Sequence, residues 1–315
     1  MSGGRVEVLI PHHDRAAGLA RTLTSLREQT VPAEVCVVDN ASSDGTREIL
    51  ESRFPEARVV ALDRNLGFGA ALNRGVASSR ADRVAFVNND AVLDSGFVEQ
   101  LLLAADETGA GMVAGCLRSP DGPVESLGVE VDRSLTTYDL GHGLAAPELY
   151  EGPPPLGPSG GAALFDAAAF RRVGEFDEAF FAYLEDVDLA IRMRLAGARC
   201  ALARDAVAWH EHSATLGARS DAKNELLGFS RGRLVWKYGR SLTAPDRLRG
   251  HLTDAIVYSG KTVIDGNLGA LRGRLRARRG HRHQPRPGPD SGMRELPLAD
   301  LGLRESLARR LSRRR

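Results

Sequence analysis

Acidic and amide side chains gather at three places in the sequence, each at the end of an apolar run or at the start of a helical pattern. They are Asp39 and Asp44, the triplet Asn88-Asn89-Asp90, and the acids Glu185, Asp186 and Asp188. Carboxylate and amide oxygens suit hard cations such as Mg²⁺ and Mn²⁺, which bridge to diphosphate oxygens. Together the three groups predict a cation-assisted site for an anionic substrate. Each group alone also has a simpler explanation, as a turn at a strand end or as acids favoured by a helix dipole.

The three acids at residues 185–188 cannot all face the same cleft. Side chains at these positions point in different directions around a helix, so at most one or two can face a given cleft. One that does could act as a general base. His210 ends the run "AVAWH" and alone would be an ordinary structural histidine. Beside a carboxylate cation site it becomes a candidate ligand.

A glycine-containing turn in "NLGFGAALNRG" offers a different chemistry. Gly67 and Gly69 have the first spacing of a dinucleotide-binding fingerprint, and Asp90 lies 21 residues beyond Gly69. Leu72 occupies the third glycine position, which weakens this interpretation. A nicotinamide-dependent oxidoreductase is therefore the alternative hypothesis. A strand-to-helix turn also uses glycine without any ligand.

These residues require a fold that brings them together. Apolar, strand-like runs alternate with helical patterns, at residues 6–10, 35–38, 58–62, 84–87 and 112–114. This alternation is typical of a parallel sheet with crossover helices. Polar residues follow most of these runs, and the carboxyl edge of such a sheet is where ligands bind. Asp14 is the predicted N-cap of the first helix.

The second half of the chain is less regular. Residues 120–160, with "EGPPPLGPSGG", predict an irregular loop. A helix follows the acids at 185–188 and ends near Gly197, a predicted C-cap, before an extended segment through "CALARDAVAWHEHS". Residues 222–270 predict further helices.

The motifs, in their order along the chain, resemble those of family 2 glycosyltransferases, which are inverting nucleotide-sugar enzymes of the GT-A fold. The similarity covers about residues 5–240 and is nearest to the rhamnosyltransferase-like branch. It depends on "VLIPHHDR", "VCVVDNASSDGT", "NLGFGAALNRG", "FVNNDA" and "FDEAFFAYLEDVDLAIRMRLAG", followed by "DAVAWH". The implied fold is α/β, with a mostly parallel central sheet flanked by helices, C-terminal helices and a basic tail.

The resemblance implies a role for individual residues. Asp186 matches the catalytic base, and Asp90 with His210 would hold a metal ion. Asp39 would contact the nucleotide base, and Asn88-Asn89-Asp90 stands at the family's DxD position with asparagine first. The implied donor-binding residues are Pro11, Asp14, Asp39, Asn40, Asn65, Gly67, Asn73, Asn88, Asn89 and Asp90. The implied acceptor-binding residues are Gly160, Gly161 and Glu185.

The implied reaction is transfer of a sugar from a nucleotide diphosphate donor to a hydroxyl of a cell-surface glycan or lipid-linked acceptor. The expected donor is dTDP-L-rhamnose, with UDP-sugars second, and the expected cofactor is Mg²⁺ or Mn²⁺. The expected division of the chain is a catalytic domain at 1–220, a helical extension at 221–270 and a basic, flexible tail at 271–315.

Composition sets the expected location. The 43% hydrophobic and 26% charged content is typical of a soluble globular protein, without an apolar run long enough to span a bilayer. The three scattered cysteines fit reduced thiols, and the amino terminus lacks a cleavable signal, so a cytoplasmic protein is expected. From residue 271 there are 14 arginines and four acids, which favours peripheral contact with an anionic membrane. Nucleic acid is not expected, because the tail lacks interleaved aromatic residues and the rest of the chain is acidic.

Overall fold

A computed structural model describes residues 4–210, 220–279 and 292–312. The strands are β1 (Val6–His12), β2 (Glu34–Asp39), β3 (Arg58–Ala61), β4 (Arg83–Val87), β5 (Ala91–Leu93), β6 (Met112–Arg118), β7 (Val124–Ser126), β8 (Val129–Val131), β9 (Thr137–Asp139), β10 (Ala162–Asp166) and β11 (Cys200–His210). The α-helices are α1 (Ala16–Arg27), α2 (Thr46–Arg53), α3 (Phe68–Ala77), α4 (Phe97–Thr108), α5 (Ala167–Arg172), α6 (Glu185–Leu195), α7 (Asp221–Tyr238), α8 (Ala244–Asp265), α9 (Gly269–Arg279) and α10 (Leu303–Ser312).

The central sheet has the strand order β3-β2-β1-β4-β10-β6-β11-β5, with β7 added beside β6. The first four strands are parallel, β10 is antiparallel between β4 and β6, and β6 pairs in parallel with β11. The predicted mostly parallel α/β fold is confirmed. Residues 120–160, which we expected to be irregular, instead contain β7, β8 and β9. These strands have three residues each, too few for a hydrophobic period to be visible in the sequence.

The sheet is buried on both faces, because successive side chains of its strands enter different cores. In β1, Val8 and Ile10 join one apolar cluster while Leu9 joins the other. The first cluster includes Leu19 and Leu23 of α1, at the helical spacing predicted from the sequence. Alternation with period two on both faces produces a three-layer arrangement of helix, sheet and helix. The loops at the strand ends are thereby left to form the site.

Of the two predicted helix caps, Asp14 does not cap its helix, whereas Gly197 does end its helix. Asp14 does not cap α1, because the Ala16 N–H donates to Asp44 Oδ2 at 2.8 Å. Asp14 instead has a left-handed backbone with φ 55° and accepts a hydrogen bond from the Ser43 N–H. At the end of α6, Gly197 has φ 87°, and the Ala198 N–H donates to the Met193 carbonyl. Gly197 therefore ends the helix as predicted, one residue beyond the C-cap.

The C-terminal helices pack against the α/β fold. Helix α7 contributes Leu234 and Tyr238 to an apolar cluster with Val187 and Ile191 of α6. Helix α9 lies close to α7 at Gly273, where an added Cβ would collide with the Glu225 carbonyl. Of the expected flexible tail, residues 271–279 thus belong to a packed helix.

The last described segment, 292–312, also packs on the protein. Ser306 is buried, and its Oγ lies 2.6 Å from the Tyr138 hydroxyl on β9. The domain division at residues 220 and 270 stays a prediction. None of the helices described is both long and apolar enough to cross a membrane. The three cysteines are buried and unpaired, as expected for reduced thiols.

Candidate active site

The strand register brings the predicted acidic groups to one rim of the sheet. His12 at the end of β1 pairs with Asp39 at the end of β2, and Asn88 follows directly after the neighbouring β4. Strand β10 runs in the opposite direction and pairs Ala162 with Val87, so its preceding residue, Gly161, lies beside Asn88. The Asn88 N–H donates to the Gly161 carbonyl at 3.4 Å. The carboxyl ends of three parallel strands and the beginning of β10 thus share this rim.

Asp90 lies at the centre of a charged cluster on the rim. Its side chain is only 8% exposed, with Arg15 Nη1 2.9 Å from Oδ2 and His210 Nε2 3.2 Å from Oδ1. Burial by itself would raise the pKa of Asp90. The hydrogen bonds and charges of His210 and Arg15 outweigh burial and hold this pKa below its usual value, so the carboxylate is ionised at neutral pH.

His210 is held by two carboxylates. Its Nδ1 lies 3.0 Å from Glu125 Oε2, opposite the contact with Asp90. Burial disfavours the charged ring, but the hydrogen bonds to Asp90 and Glu125 prevail and raise the pKa of His210 to about 9. Glu125 belongs to β7, inside the segment expected to be irregular, and we did not predict its involvement. A buried glutamate within an unrecognised three-residue strand carried no signal in the sequence.

The donor types at this cluster fit a divalent cation. Asp90 offers a carboxylate oxygen, His210 an imidazole nitrogen, and the Asn88 amide lies 3.1 Å from that nitrogen. A metal-binding histidine commonly donates its other N–H to a carboxylate, which is the position of Glu125. His210 Nε2 lies within hydrogen-bond distance of Asp90 Oδ1. A cation bound by both residues would therefore have to replace the proton on Nε2. Among the residues described, no three His, Cys, Asp or Glu side chains are arranged as a metal site.

The Asn89 side chain is the first member of a chain of hydrogen bonds that continues through the buried His12. Burial lowers the pKa of His12 to about 4, so the ring is neutral. Asn89 Nδ2 lies 2.8 Å from His12 Nδ1, and His12 Nε2 lies 2.8 Å from Thr46 Oγ1. Thr46 in turn bonds to Asp44, the residue that caps α1. A neutral ring can accept from the amide and donate to the hydroxyl, so His12, which we did not predict, orients Asn89.

The glycine turn at residue 67 contacts the protein's own backbone. Gly67 has φ 88°, and a Cβ there would collide with the Phe181 carbonyl, which accepts a hydrogen bond from the Phe68 N–H at 2.9 Å. Asn40 bonds to both Leu66 N and Gly67 O, and Asn65 Oδ1 accepts from Gly67 N. The close approach that glycine permits is thus used by Phe181. This arrangement disfavours the dinucleotide hypothesis, in which a pyrophosphate would lie there.

Three residues that were predicted to bind the donor, Asn73, Asp14 and Pro11, are used in contacts within the protein or lie within a strand. Asn73 is 2% exposed, and its amide both donates to and accepts from the Phe176 backbone at 3.0 Å. It therefore holds the chain before α6 rather than facing the rim. Asp14 links the β1 and β2 loops through Ser43, and Pro11 is half-buried in β1 opposite Val38.

Asp186 joins the rim through a pair of glycines. Its Oδ2 accepts a hydrogen bond from the Gly160 N–H at 3.2 Å, and Oδ1 accepts from the Val187 N–H at 2.8 Å. A Cβ on Gly160 would press on Phe68, and one on Gly161 would collide with the Asn88 amide. Only this two-residue segment separates Asp186 from Asn88. The structure therefore brings Asp186, Asn88 and, through His210, Asp90 together.

Burial raises the pKa of both Glu185 and Asp186, but by different amounts. It raises the pKa of Asp186 to about 6, a rise limited by the hydrogen bonds from Gly160 and Val187. Burial and the neighbouring Asp186 raise the pKa of Glu185 to about 8. Glu185 Oε2 is buried and has no hydrogen-bond partner among the residues that the structure describes. At neutral pH one carboxyl is ionised beside one that is neutral, which is how paired acids divide their roles in many active sites.

A different concavity lies at the opposite rim of the sheet. It has a volume of about 570 Å³ and is lined by Arg83, Asp166, Arg199 and their neighbours at the amino ends of β4, β6 and β11 and the end of β10. None of the predicted site residues lines it.

The fold is that of a GT-A glycosyltransferase. Residues 7–173, more than half of the chain, match the family described as "Glycosyl transferase family 2". The chain belongs to this family and is a glycosyltransferase, as the sequence motifs predicted.

One relative agrees with the family, and two solved structures agree with the fold. The "N-acetylglucosaminyl-diphospho-decaprenol L-rhamnosyltransferase" of Mycobacterium tuberculosis (strain ATCC 25618 / H37Rv) is 33% identical over 207 residues, 57% of this chain and 67% of the relative. Staphylococcus aureus TarS 1-349 in complex with UDP-GlcNAc superposes with a TM-score of 0.59 at 17% identity, covering 87% of this chain and 79% of TarS 1-349. A Pyrobaculum calidifontis mannosyltransferase with GDP-Man and Mn²⁺ has a TM-score of 0.55 at 21% identity, covering 87% and 74%.

The contact between Glu125 and His210 yields a prediction. Replacing Glu125 with Ala removes the carboxylate that orients His210, and loss of such a supporting carboxylate typically weakens metal affinity about 10- to 100-fold. We expect Mn²⁺-dependent binding of a nucleoside diphosphate, measured by calorimetry, to weaken by this factor. The exposed Glu151→Ala variant is the control and should bind as the wild type does. An unchanged Mn²⁺ dependence in Glu125→Ala would rule out the supporting role.

Proposed function

We propose that this glycosyltransferase inverts the anomeric centre, moving a sugar from a nucleotide diphosphate to a hydroxyl of a cell-surface glycan or lipid-linked acceptor. The observation that carries the proposal is the position of Asp186 on the rim that holds Asp90, with only Gly160 and Gly161 between Asp186 and Asn88. Direct displacement needs a base and a diphosphate-holding group on opposite sides of one sugar. Asp186 would supply the base, and Asp90 would supply the group that holds the diphosphate.

Asp186 is the proposed base. An acceptor hydroxyl oxygen forms a bond to the anomeric carbon while the bond from that carbon to the diphosphate oxygen breaks. The electron pair of the broken bond leaves with the diphosphate, and the hydroxyl proton passes to Asp186. A pKa near 6 suits this duty, because the carboxylate is ionised at neutral pH and remains basic enough to take a proton. Gly160, Gly161 and Glu185 border Asp186 and would contact the acceptor.

Asp90 and His210 would hold the diphosphate end. A bound Mg²⁺ or Mn²⁺ would neutralise the charge that builds on the departing diphosphate. Asp90 brings the ionised carboxylate, His210 a ring oriented by Glu125, and Arg15 a nearby cation. Asp39 lies two strands away along the rim and would contact the nucleotide base. Asn40 and Asn65 shape the turn beside it.

The proposed donor is dTDP-L-rhamnose, with a UDP-sugar second. The name of the 33% identical relative supports rhamnose and also a lipid-diphosphate acceptor, while UDP-GlcNAc is bound in one structure of similar fold. The basic C-terminal segment would contact the anionic membrane in which such an acceptor lies. The oxidoreductase hypothesis is not retained, because Phe181 fills the approach to Gly67.

The proposed role of Asp186 as the base can be tested by substitution. Asp186→Asn keeps an oxygen that can accept the Gly160 N–H, so folding and donor binding should persist while proton acceptance is lost. We expect the transfer rate to fall by about 10²- to 10⁴-fold, with the Kd for the donor nearly unchanged. In the wild type the rate should fall as pH drops through about 6, since Asp186 becomes protonated. The exposed Asp205→Asn variant is the control. A fully active Asp186→Asn enzyme would show that Asp186 is not the base.

The nucleotide specificity gives a further prediction. Thermal shift measurements with dTDP, UDP and NAD, each with and without Mn²⁺, should show stabilisation by dTDP and UDP that increases with Mn²⁺, and none by NAD. Transfer assays with dTDP-L-rhamnose and a panel of UDP-sugars then identify the donor. Stabilisation by NAD alone would contradict the proposed function, and transfer from a UDP-sugar but not from dTDP-L-rhamnose would correct the donor.

A further inference from the structure

Exposed apolar side chains are concentrated on two neighbouring helices, α8 and α9. Among the residues described, nine large hydrophobic side chains are exposed, and six of them lie on these helices or in the turn between them. They are Leu248, Leu252 and Ile256 on α8, Leu268 in the turn, and Leu271 and Leu275 on α9. Scattered exposed leucines are ordinary, but a concentration of this kind marks an interaction surface.

The three residues on α8 form a stripe that points away from the protein. Leu248, Leu252 and Ile256 follow one another at intervals of four residues and are 60%, 45% and 48% exposed. The opposite side of the same helix is packed, with Thr253 fully buried and Asp254 bonded to Arg231. The inward side is therefore packed against the protein, while the outward side is apolar and exposed. At 1.5 Å per residue the stripe is about 12 Å long.

The sequence around the stripe is basic, although arginines of α9 pair with Asp221 and Glu225 of α7. Residues 244–279 contain eight lysines and arginines but three acids, and one of these acids, Asp254, is buried between Arg231 and Arg274. Arg247, next to Leu248, is exposed. The sequence beyond residue 279 adds nine arginines and four acids. An apolar stripe inside a positively charged region complements the surface of an anionic bilayer, where apolar side chains insert and arginines meet lipid phosphates.

We propose that the outward stripe of α8, assisted by the exposed leucines of α9, docks this protein on an anionic lipid bilayer. The docking helices connect to the candidate active site through α7. Helix α9 packs on α7, where Ser230 donates to the Ala182 carbonyl and Arg233 pairs with Asp177, in the chain that leads to Asp186. This inference rests on the proposed function. Docking on the bilayer would bring the candidate active site to the surface where a lipid-linked acceptor lies.

The test measures vesicle binding without donor or acceptor, so its outcome is separate from that of the proposed sugar transfer. The full chain is sedimented with vesicles of phosphatidylcholine alone and of phosphatidylcholine mixed with phosphatidylglycerol. The variant Leu248→Gln/Leu252→Gln/Ile256→Gln removes the stripe but keeps every arginine of the tail. Leu149→Gln is the matched control, since Leu149 is also 60% exposed but lies away from these helices.

We expect the wild type and Leu149→Gln to bind vesicles containing phosphatidylglycerol and to bind phosphatidylcholine weakly. The triple variant should lose at least about tenfold in partitioning, since each inserted side chain contributes apolar transfer energy. Its thermal unfolding and nucleotide binding should stay close to those of the wild type, because the three side chains are about half exposed and belong to none of the apolar clusters of the core. Binding equal to that of the wild type would overturn the stripe's role. No binding by the wild type, with a dimer that the triple variant dissociates, would instead assign the stripe to a second copy of the chain.

Discussion

The structure of the candidate site depends on a strand that runs against its neighbours. Because β10 is antiparallel between β4 and β6, it begins at the rim where the parallel strands end. The two residues that precede β10, Gly160 and Gly161, can therefore touch both the chain after β4 and the start of α6. Side chains at these two positions would press on Phe68 and Asn88, so glycine is required for the close approach. The distance between the proposed base and the proposed metal-binding group is set by this pair of backbone units.

The second constraint is the balance of charge around buried carboxylates. Asp90 and Glu125 are both largely buried, and each contacts His210. Burying an ionised carboxylate is costly unless it is paired, so His210 and Arg15 stabilise the group in the absence of a metal ion. Within the described part of the chain no cation pairs with Glu185 or Asp186, and burial raises the pKa of each. One end of the rim thus holds negative charge firmly, and the other is suited to gaining and losing a proton.

Much of this organisation could be predicted from the sequence, because strand ends in a parallel sheet must meet at one edge. The strands carrying Asp39 and Asp90, the helix beginning at the acids and its end at Gly197 follow from hydrophobic period and turn residues. The partners that orient these groups could not be predicted in the same way. Glu125 lies in a three-residue strand, and His12 looks like any residue at the end of a buried strand. Asn73 was predicted to bind the donor, but its amide is occupied by the Phe176 backbone, a contact over 103 residues of sequence that no local pattern reveals.

The most direct test of the account is a crystal structure with Mn²⁺ and a nucleotide sugar bound. We expect the Mn²⁺ anomalous signal between Asp90 and His210, with the His210 ring turned from a hydrogen bond to a metal bond. The sugar should lie over Gly160 and Gly161 with its anomeric carbon facing the Asp186 carboxylate. A nucleotide bound instead in the concavity near Arg83 and Asp166, or a sugar lying away from Asp186, would contradict the claim that one rim carries both ends of the reaction.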